Sequence, residues 1–227
     1  MYLQITTKCN HHCAHCCYSC NKNGKHMTRN VWQQALRFAE KYDSEAIAIG
    51  GGEPTLHPDF FDILADCLFS FSRVWMATNG SRTKTMRRLA RIIEREDWEE
   101  NKERYIDLMT DDQLTVALSN DYFHDPIDEG IMRYWTKQAD RKIPGFELRD
   151  VTKSLNGPIG VGRAAKTGSG WTTGCCCSDL QIIPSGKIKV CGCKKSPLIG
   201  DVWNGIEDKW IEYLGTEEYQ DNCYFGN

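Results

Sequence analysis

Short apolar runs alternate along the chain with longer stretches whose apolar residues recur at helical spacing. Tyr2-Leu3-Gln4-Ile5-Thr6 reads as a short buried strand. Asn21-Lys22-Asn23-Gly24 is a turn, and Thr28 stands at the cap of a helix carrying Val31, Ala35, Phe38 and Ala39 on one face. Ala46-Ile47-Ala48-Ile49 is a second strand that runs into Gly50-Gly51-Gly52-Glu53-Pro54. Asp59 to Phe71 reads as a helix with Phe60, Ile63, Leu64, Cys67 and Leu68 inward. Val74 to Ala77 is a third strand ending at Thr78-Asn79-Gly80. Lys84 to Glu96 is an amphipathic helix, and the charged segment from Asp97 to Asp112 reads as its continuation followed by a loop. Leu114 to Leu118 is a fourth strand, ending at Ser119-Asn120-Asp121. A helix from Asp128 to Ala139 precedes a fifth strand, Gly145 to Leu148, and a sixth near Ile159-Gly160-Val161 leads into Gly162-Arg163-Ala164.

Strand–helix alternation of this kind builds a parallel sheet. Five or six units fit before residue 165, too few to close an eight-unit barrel. The expected fold is therefore α/β, a partial (β/α)6 TIM-like barrel over residues 1–165. Chemistry in such barrels sits at the carboxyl ends of the strands. The segment around Cys9, Gly51-Gly52-Glu53-Pro54, Thr78-Asn79-Gly80, Ser119-Asn120-Asp121 and Gly162-Arg163-Ala164 all fall at such ends. Residues 166–227 read as a second, cysteine-rich unit. It contains a strand at Leu180 to Ile183, a turn at Pro184-Ser185-Gly186-Lys187, a return strand at Ile188 to Val190, and a helix from Ile206 to Leu214.

Charge and composition narrow the function. The 227 residues carry a formal net charge of -3, so no broad basic field exists to grip an extended duplex, although one nucleotide in a pocket is compatible. No stretch approaches the ~20 apolar residues of a membrane span, and the first residues lack the basic and apolar regions of a signal peptide. Of 12 cysteines, five fall between Cys9 and Cys20 and six between Cys175 and Cys223. Clustered thiols without a signal segment read as metal ligands in a reducing cytoplasm, not as a disulfide scaffold.

Cys9, Cys13 and Cys16 form a C-x3-C-x2-C pattern just after the first strand. Such a compact loop can present three thiolates to one iron–sulfur cubane, leaving one iron open. Zinc also takes Cys and His at these spacings, and His11, His12, His15, His26, Cys17 and Cys20 keep that alternative in play.

The cysteine triplet, with Gly51-Gly52-Glu53-Pro54, resembles the radical S-adenosylmethionine (radical SAM) superfamily. The resemblance implies a [4Fe–4S] cluster on Cys9, Cys13 and Cys16 whose open iron chelates S-adenosylmethionine (SAM). It implies that the backbone at Gly51, Gly52 and Pro54, with Glu53, holds the methionine amino group, a fitting role for a carboxylate. Asn79 at the next strand end joins this set. Ser119 and Asp121 resemble the positions that bind ribose hydroxyls, with a turn or helix cap as the plain alternative. Gly162-Arg163-Ala164 resembles the final strand of relatives, placing Arg163 by the SAM carboxylate or in a surface pair. His15 departs from the family, where an aromatic residue before the third cysteine lines the adenine; it stacks in that place, or Tyr18 takes over. His57 and His124 lie near the rim and are assigned no role. The implied chemistry begins with an external one-electron donor of flavodoxin or ferredoxin type. Reductive cleavage of SAM then gives a 5′-deoxyadenosyl radical that takes hydrogen from an unactivated C–H bond.

From Cys176 a C-x9-G-x4-C pattern runs to Cys191. It resembles the opening of SPASM and twitch extensions, and the short length fits the twitch form with one auxiliary [4Fe–4S] cluster. The implied ligands are Cys176, Cys191, Cys193 and Cys223, with the choice among Cys175, Cys176 and Cys177 open and a small zinc ribbon as the alternative. Relatives of this kind modify an amino-acid-like substrate: a peptide residue, a small metabolite, or an amino acid carried on a modified thymine of viral DNA. The outcome is rearrangement or oxidation. A glycyl-radical activase and a non-catalytic zinc-binding interaction protein are the competing readings.

Overall fold

The computed structural model describes residues 1–42, 45–95, 112–153, 162–170, 180–191 and 196–214. Strands β1 (Tyr2–Thr6), β2 (Ala46–Gly51), β3 (Arg73–Thr78), β4 (Leu114–Ser119) and β5 (Phe146–Arg149) alternate with helices α1 (Arg29–Lys41), α2 (Phe60–Ser70), α3 (Thr83–Glu94) and α4 (Glu129–Asp140). A short helix α5 (Arg163–Thr167) follows, then β6 (Gln181–Ile182), β7 (Lys187–Lys189), β8 (Leu198–Asp201), β9 (Gly205–Ile206) and α6 (Asp208–Leu214). Among the described residues one nine-stranded sheet takes the order β5-β4-β3-β2-β1-β6-β7-β8-β9. The strands from β5 through β1 to β6 run parallel, and β7, β8 and β9 are antiparallel additions. The architecture is the expected partial α/β barrel.

Strand alternation sorts the side chains. Leu3, Ile5, Ile47, Ile49, Val74, Met76, Val116 and Leu118 face one way and join the apolar stripes of α1 to α4 in a single core. Burying each such side chain stabilises the fold by roughly 1.5–3 kcal/mol. The Trp32 indole donates to Asp66 Oδ2 at 3.0 Å, tying α1 to α2. Asp128 caps α4 by accepting from the Ile131 amide at 3.0 Å. Thr28 occupies the N-cap of α1 in extended conformation, but its side chain makes no capping bond.

Several expectations need correction. Among the described residues a further parallel strand, β6, pairs through Leu3 and Ile182 on the far edge of β1. The strand expected near 159–161 lies outside the described residues. A central strand such as β1 needs hydrogen bonds on both edges, and β6 supplies the second set. The β6–β7 hairpin thus continues the barrel sheet. Gly162-Arg163-Ala164 opens helix α5 instead of ending a strand. Helix α3 ends at Glu94 because Arg95 turns left-handed at φ 54°. The helix expected from Ile206 begins at Asp208, since Gly205 and Ile206 pair with β8.

Candidate active site

The opposite face of the parallel strands, with the loops at their carboxyl ends, lines a cavity of about 570 Å3. Cys9, Cys13 and Cys16 stand on its wall beside Gly51, Gly52 and Glu53, with Thr78, Asn79, Ser119 and Asp121 on the adjoining strand ends. Four of the five expected rim segments therefore meet at one cavity. The fifth, at Gly162 to Ala164, packs behind the cysteine loop.

That loop is braced from both sides. The Cys9 amide donates to Asn21 O at 2.9 Å, and the Asn21-to-Gly24 turn closes with an Asn23 amide bond to Asn21 Oδ1 at 2.9 Å. On the other side the Arg163 amide donates to Cys16 O at 2.9 Å. Its guanidinium donates to Cys13 O at 2.9 Å and also to Cys20 O. Thr167 Oγ1 donates to Ala14 O at 2.9 Å. A Cβ on Gly162 would lie 2.0 Å from Cys17 O, at φ 62°, so only glycine permits this approach. Arg163 is 8 % exposed and its guanidinium donates to loop carbonyls, which corrects the expectation of a surface pair.

The Gly-Gly-Glu-Pro segment is built by the same device. A Cβ on Gly51 would stand 2.1 Å from Thr6 O, and one on Gly52 would stand 2.2 Å from Lys8 O. The glycines let this loop lie directly against the root of the cysteine loop. Gly52 and Glu53 amides accordingly donate to Thr6 O at 2.8 Å and Lys8 O at 2.9 Å. Pro54 begins a 3-10 turn at Pro54–Leu56. The buried Glu53 carboxylate accepts from the Thr55 amide at 3.1 Å, from Thr55 Oγ1, from Thr78 Oγ1 at 2.7 Å and from the Asn79 amide at 2.7 Å. It thereby binds the β2 loop to the β3 loop. Asn79 Nδ2 extends the bracing to Asn10 Oδ1 at 3.1 Å.

On the β4 side, Asp121 Oδ1 accepts from the Phe123 amide at 3.0 Å and pairs with His124 Nδ1 at 2.8 Å. Burial raises the Asp121 carboxyl, but His124 outweighs it and holds the group below its ordinary value. Burial opposes charge on His124, yet Asp121 and Cys13 carry its pKa up to about 9. The His15 ring lies 4.5 Å from Phe123 and 5.1 Å from His124. Burial, helped by His124, lowers it to about 4, so His15 is neutral and behaves as an aromatic plate. Tyr18 instead stacks on Tyr2 at 5.9 Å, and both also reach the cavity. His57 is structural: Nε2 donates to Met27 O at 2.8 Å and Nδ1 accepts from the Asp59 amide at 3.1 Å.

The thiols differ among themselves. Burial pushes Cys9 up to about 11. Burial also raises Cys13, but His11 and His124 outweigh it and bring the thiol to about 7. Cys16 falls to about 5, first through hydrogen bonding from Cys20. Among the described residues, the ligand atoms of His15, Asp121 and His124 lie within 4.8 Å of one another, whereas no cysteine belongs to such a group. Tetrahedral zinc with bonds of ~2.3 Å would draw sulfurs to about 3.8 Å apart. At least one pair among Cys9, Cys13 and Cys16 therefore stands farther apart than 4.8 Å, and cubane ligands, which bind separate irons, do not need to crowd one metal.

Of the second cysteine group, Cys176, Cys193 and Cys223 lie outside the described residues, as do Cys175 and Cys177. Cys191 follows β7, is buried, and its amide donates to Ser196 Oγ at 3.1 Å.

The structure adds wall residues that sequence reasoning missed, chiefly Tyr2, Trp75 and Arg149. Their signal was the alternation itself, because each sits out of phase with the aliphatic positions of its own strand. Among the described residues no helix is long and apolar enough to cross a membrane.

Residues 3–110 match the model of the radical SAM superfamily. A probable GTP 3′,8-cyclase of Methanosarcina mazei is 34 % identical over 95 residues, 37 % of this chain and 28 % of that protein. An S-adenosylmethionine-dependent nucleotide dehydratase of a Thermoplasmatales archaeon is 42 % identical over 57 residues, 25 % of this chain and 20 % of that one. The match therefore spans less than a third of either relative. The solved structure of anSMEcpe with bound AdoMet superposes with a TM-score of 0.56 over 99 % of this chain and 83 % of that one, at 13 % identity, a likeness of fold. The matched residues 3–110, just under half of the chain, carry both the cysteine triplet and the Gly-Gly-Glu-Pro loop, and in them the chain is similar to the radical SAM superfamily.

Proposed function

We propose that this chain cleaves SAM reductively and uses the resulting radical on an amino-acid-like substrate, with rearrangement or oxidation as the outcome. The observation that carries this reading is the meeting of Cys9, Cys13 and Cys16 with the Gly51–Glu53 loop on one cavity wall. The three cysteines would hold the [4Fe–4S] cluster, and the match of residues 3–110 to the radical SAM superfamily supports SAM as its partner. When bound, cluster and SAM together supply a 5′-deoxyadenosyl radical that abstracts hydrogen.

The chain's own residues then position and shield. The Gly51–Pro54 backbone meets the methionine end of SAM, and Glu53 holds that loop through its four donors. Asn79 and Ser119 border the nucleoside, and Asp121 offers its carboxylate to the ribose. His15, neutral and backed by Phe123, takes the place of the usual aromatic beside the adenine. Arg163 fixes the cysteine loop from behind. Tyr2 and Trp75 present apolar surface that keeps water from a reactive intermediate.

An external one-electron donor of flavodoxin or ferredoxin type is the reductant. The substrate is a peptide residue or an amino acid carried on a modified thymine. The nucleotide activities named for two relatives support the second arm. Residues 166–227 would form a twitch-like unit with an auxiliary cluster on Cys176, Cys191, Cys193 and Cys223; the sequence pattern and the hairpin that precedes Cys191 support it.

The test is anaerobic reconstitution with iron and sulfide, then dithionite and SAM, with 5′-deoxyadenosine measured by chromatography. Release of 5′-deoxyadenosine and methionine is expected. Zinc in place of iron, with SAM left intact, would contradict the reading.

A further inference from the structure

The cysteine loop holds two thiols beyond the three given to the cluster. Cys17 is partly buried, whereas Cys20 is 2 % exposed and turned back toward Cys16. Three local features bring Cys20 there. The Ser19 amide donates to Cys16 O at 3.4 Å, and Ser19 takes a left-handed φ of 55° that reverses the chain just before Cys20. Asn21 then pairs with the root of the loop, its carbonyl accepting from the Cys9 amide at 2.9 Å and its amide donating to Thr7 O at 3.4 Å. The Arg163 guanidinium, which also donates to Cys13 O at 2.9 Å, holds the Cys20 carbonyl.

A non-glycine residue seldom takes the conformation of Ser19, and it persists only where its surroundings hold it. The bonds on both sides of Cys20 supply that hold. Their combined effect is a contact between two side chains, the Cys20 thiol being hydrogen-bonded to Cys16 Sγ. A Cys16 that binds metal is a thiolate and only accepts, so Cys20 is the one that donates. Packing does not account for this thiol. Cys67 of α2 is also buried, but among the apolar side chains of the core, to which Cys20 does not belong. A buried S–H beside a ligand sulfur has a chemical use. When an external reductant supplies one electron, negative charge grows on the ligand sulfurs, and a hydrogen bond to one of them favours the reduced form.

We infer that Cys20 acts through Cys16: its thiol donates to Cys16 Sγ and makes the cluster on Cys9, Cys13 and Cys16 easier to reduce. Cys20 is thus a positioning residue for the electron-accepting step and not a fourth ligand. Arg163 serves the same end, since its guanidinium holds the carbonyls of Cys20 and of the ligand Cys13 together. The inference rests on the reading given under Proposed function, which gives Cys16 to the cluster. It goes beyond that reading, because three ligands hold a cluster whether or not a neighbouring thiol donates to one of them.

The test is a redox titration of the anaerobically reconstituted full chain without SAM, read by electron paramagnetic resonance at a series of applied potentials. The signal of the Cys16→Ala protein is subtracted, which leaves that of the first cluster. Cys20→Ala and Cys20→Val remove the S–H, and Cys20→Ser keeps a hydroxyl on a shorter bond. The equilibrium constant for reduction should fall by about 2- to 10-fold in Cys20→Ala and Cys20→Val, the range of one hydrogen bond. Cys20→Ser should recover at least part of that fall. Iron content should stay that of the parent in Cys20→Ser and in at least one of the other two. An unchanged constant in the variants without a donor, an equal fall in all three, or loss of first-cluster iron from both Cys20→Ala and Cys20→Val each overturns the inference. Wild-type protein that takes up no iron would instead remove the underlying reading, and is seen before any variant is made.

Discussion

The two faces of the parallel sheet are built from the same strands and do opposite work. The helix-facing side of β1 to β5 is aliphatic and merges into one core. The cavity side carries Tyr2, Gly50, Trp75, Ser119 and Arg149 in the alternate positions. A single period of two thus divides the chain into residues that hold the fold and residues available to a ligand. The loops at the strand ends follow the second rule, being braced by backbone bonds and small residues instead of apolar packing. Substitutions on the two faces should therefore fail in different ways.

The largest effect is expected on the cavity side. Cys16→Ala should lose the iron of the first cluster and 5′-deoxyadenosine production, while circular dichroism stays that of the parent. Ile49→Ala on the helix side should do the reverse. It should cost about 2–5 kcal/mol in denaturant titration, with iron content of the folded fraction retained. Gly52→Ala tests the contact between the two systems. Its new Cβ meets Lys8 O, so a loss of about 1–3 kcal/mol should come with lowered iron retention. Glu53→Gln replaces one acceptor oxygen by a donor facing donors. A loss of about 1–3 kcal/mol and weaker SAM binding should appear together. Trp75→Phe should be mildest, costing about 1 kcal/mol for the Glu147 bond and leaving iron and SAM binding in place. If Ile49→Ala and Cys16→Ala gave the same phenotype, the division between faces would be wrong.

Much of this division was legible in the chain. The five strands from β1 to β5 and the helices between them follow from runs such as Ala46 to Ile49 and stripes such as Phe60, Ile63 and Leu64. The cysteine triplet, the Gly-Gly-Glu-Pro loop, Asn79, Ser119 and Asp121 were placed at strand ends, and the structure brings them to one cavity. What was not legible is long-range pairing and the destination of polar side chains. Nothing local tells Gln181–Ile182 to pair with β1, because two residues carry little pattern and the choice is made by an open sheet edge. Arg163 reads as a ligand-binding cation in sequence, but its targets are carbonyls of Cys13 and Cys20, more than a hundred residues away. The glycines of Gly51-Gly52 suggest approach to a ligand, whereas the backbone they approach is the protein's own at Thr6 and Lys8. Trp75 and Arg149 were overlooked because the apolar positions between them dominate each strand's signal.

The most direct measurement is electron paramagnetic resonance of the anaerobically reconstituted, dithionite-reduced protein, with and without SAM, alongside its Cys176→Ala variant. A reduced [4Fe–4S] signal should appear in both proteins, and SAM should change it in both, because an iron without a cysteine ligand accepts the cofactor. A signal indifferent to SAM, or a protein that retains zinc and takes up no iron, would contradict the assignment of Cys9, Cys13 and Cys16.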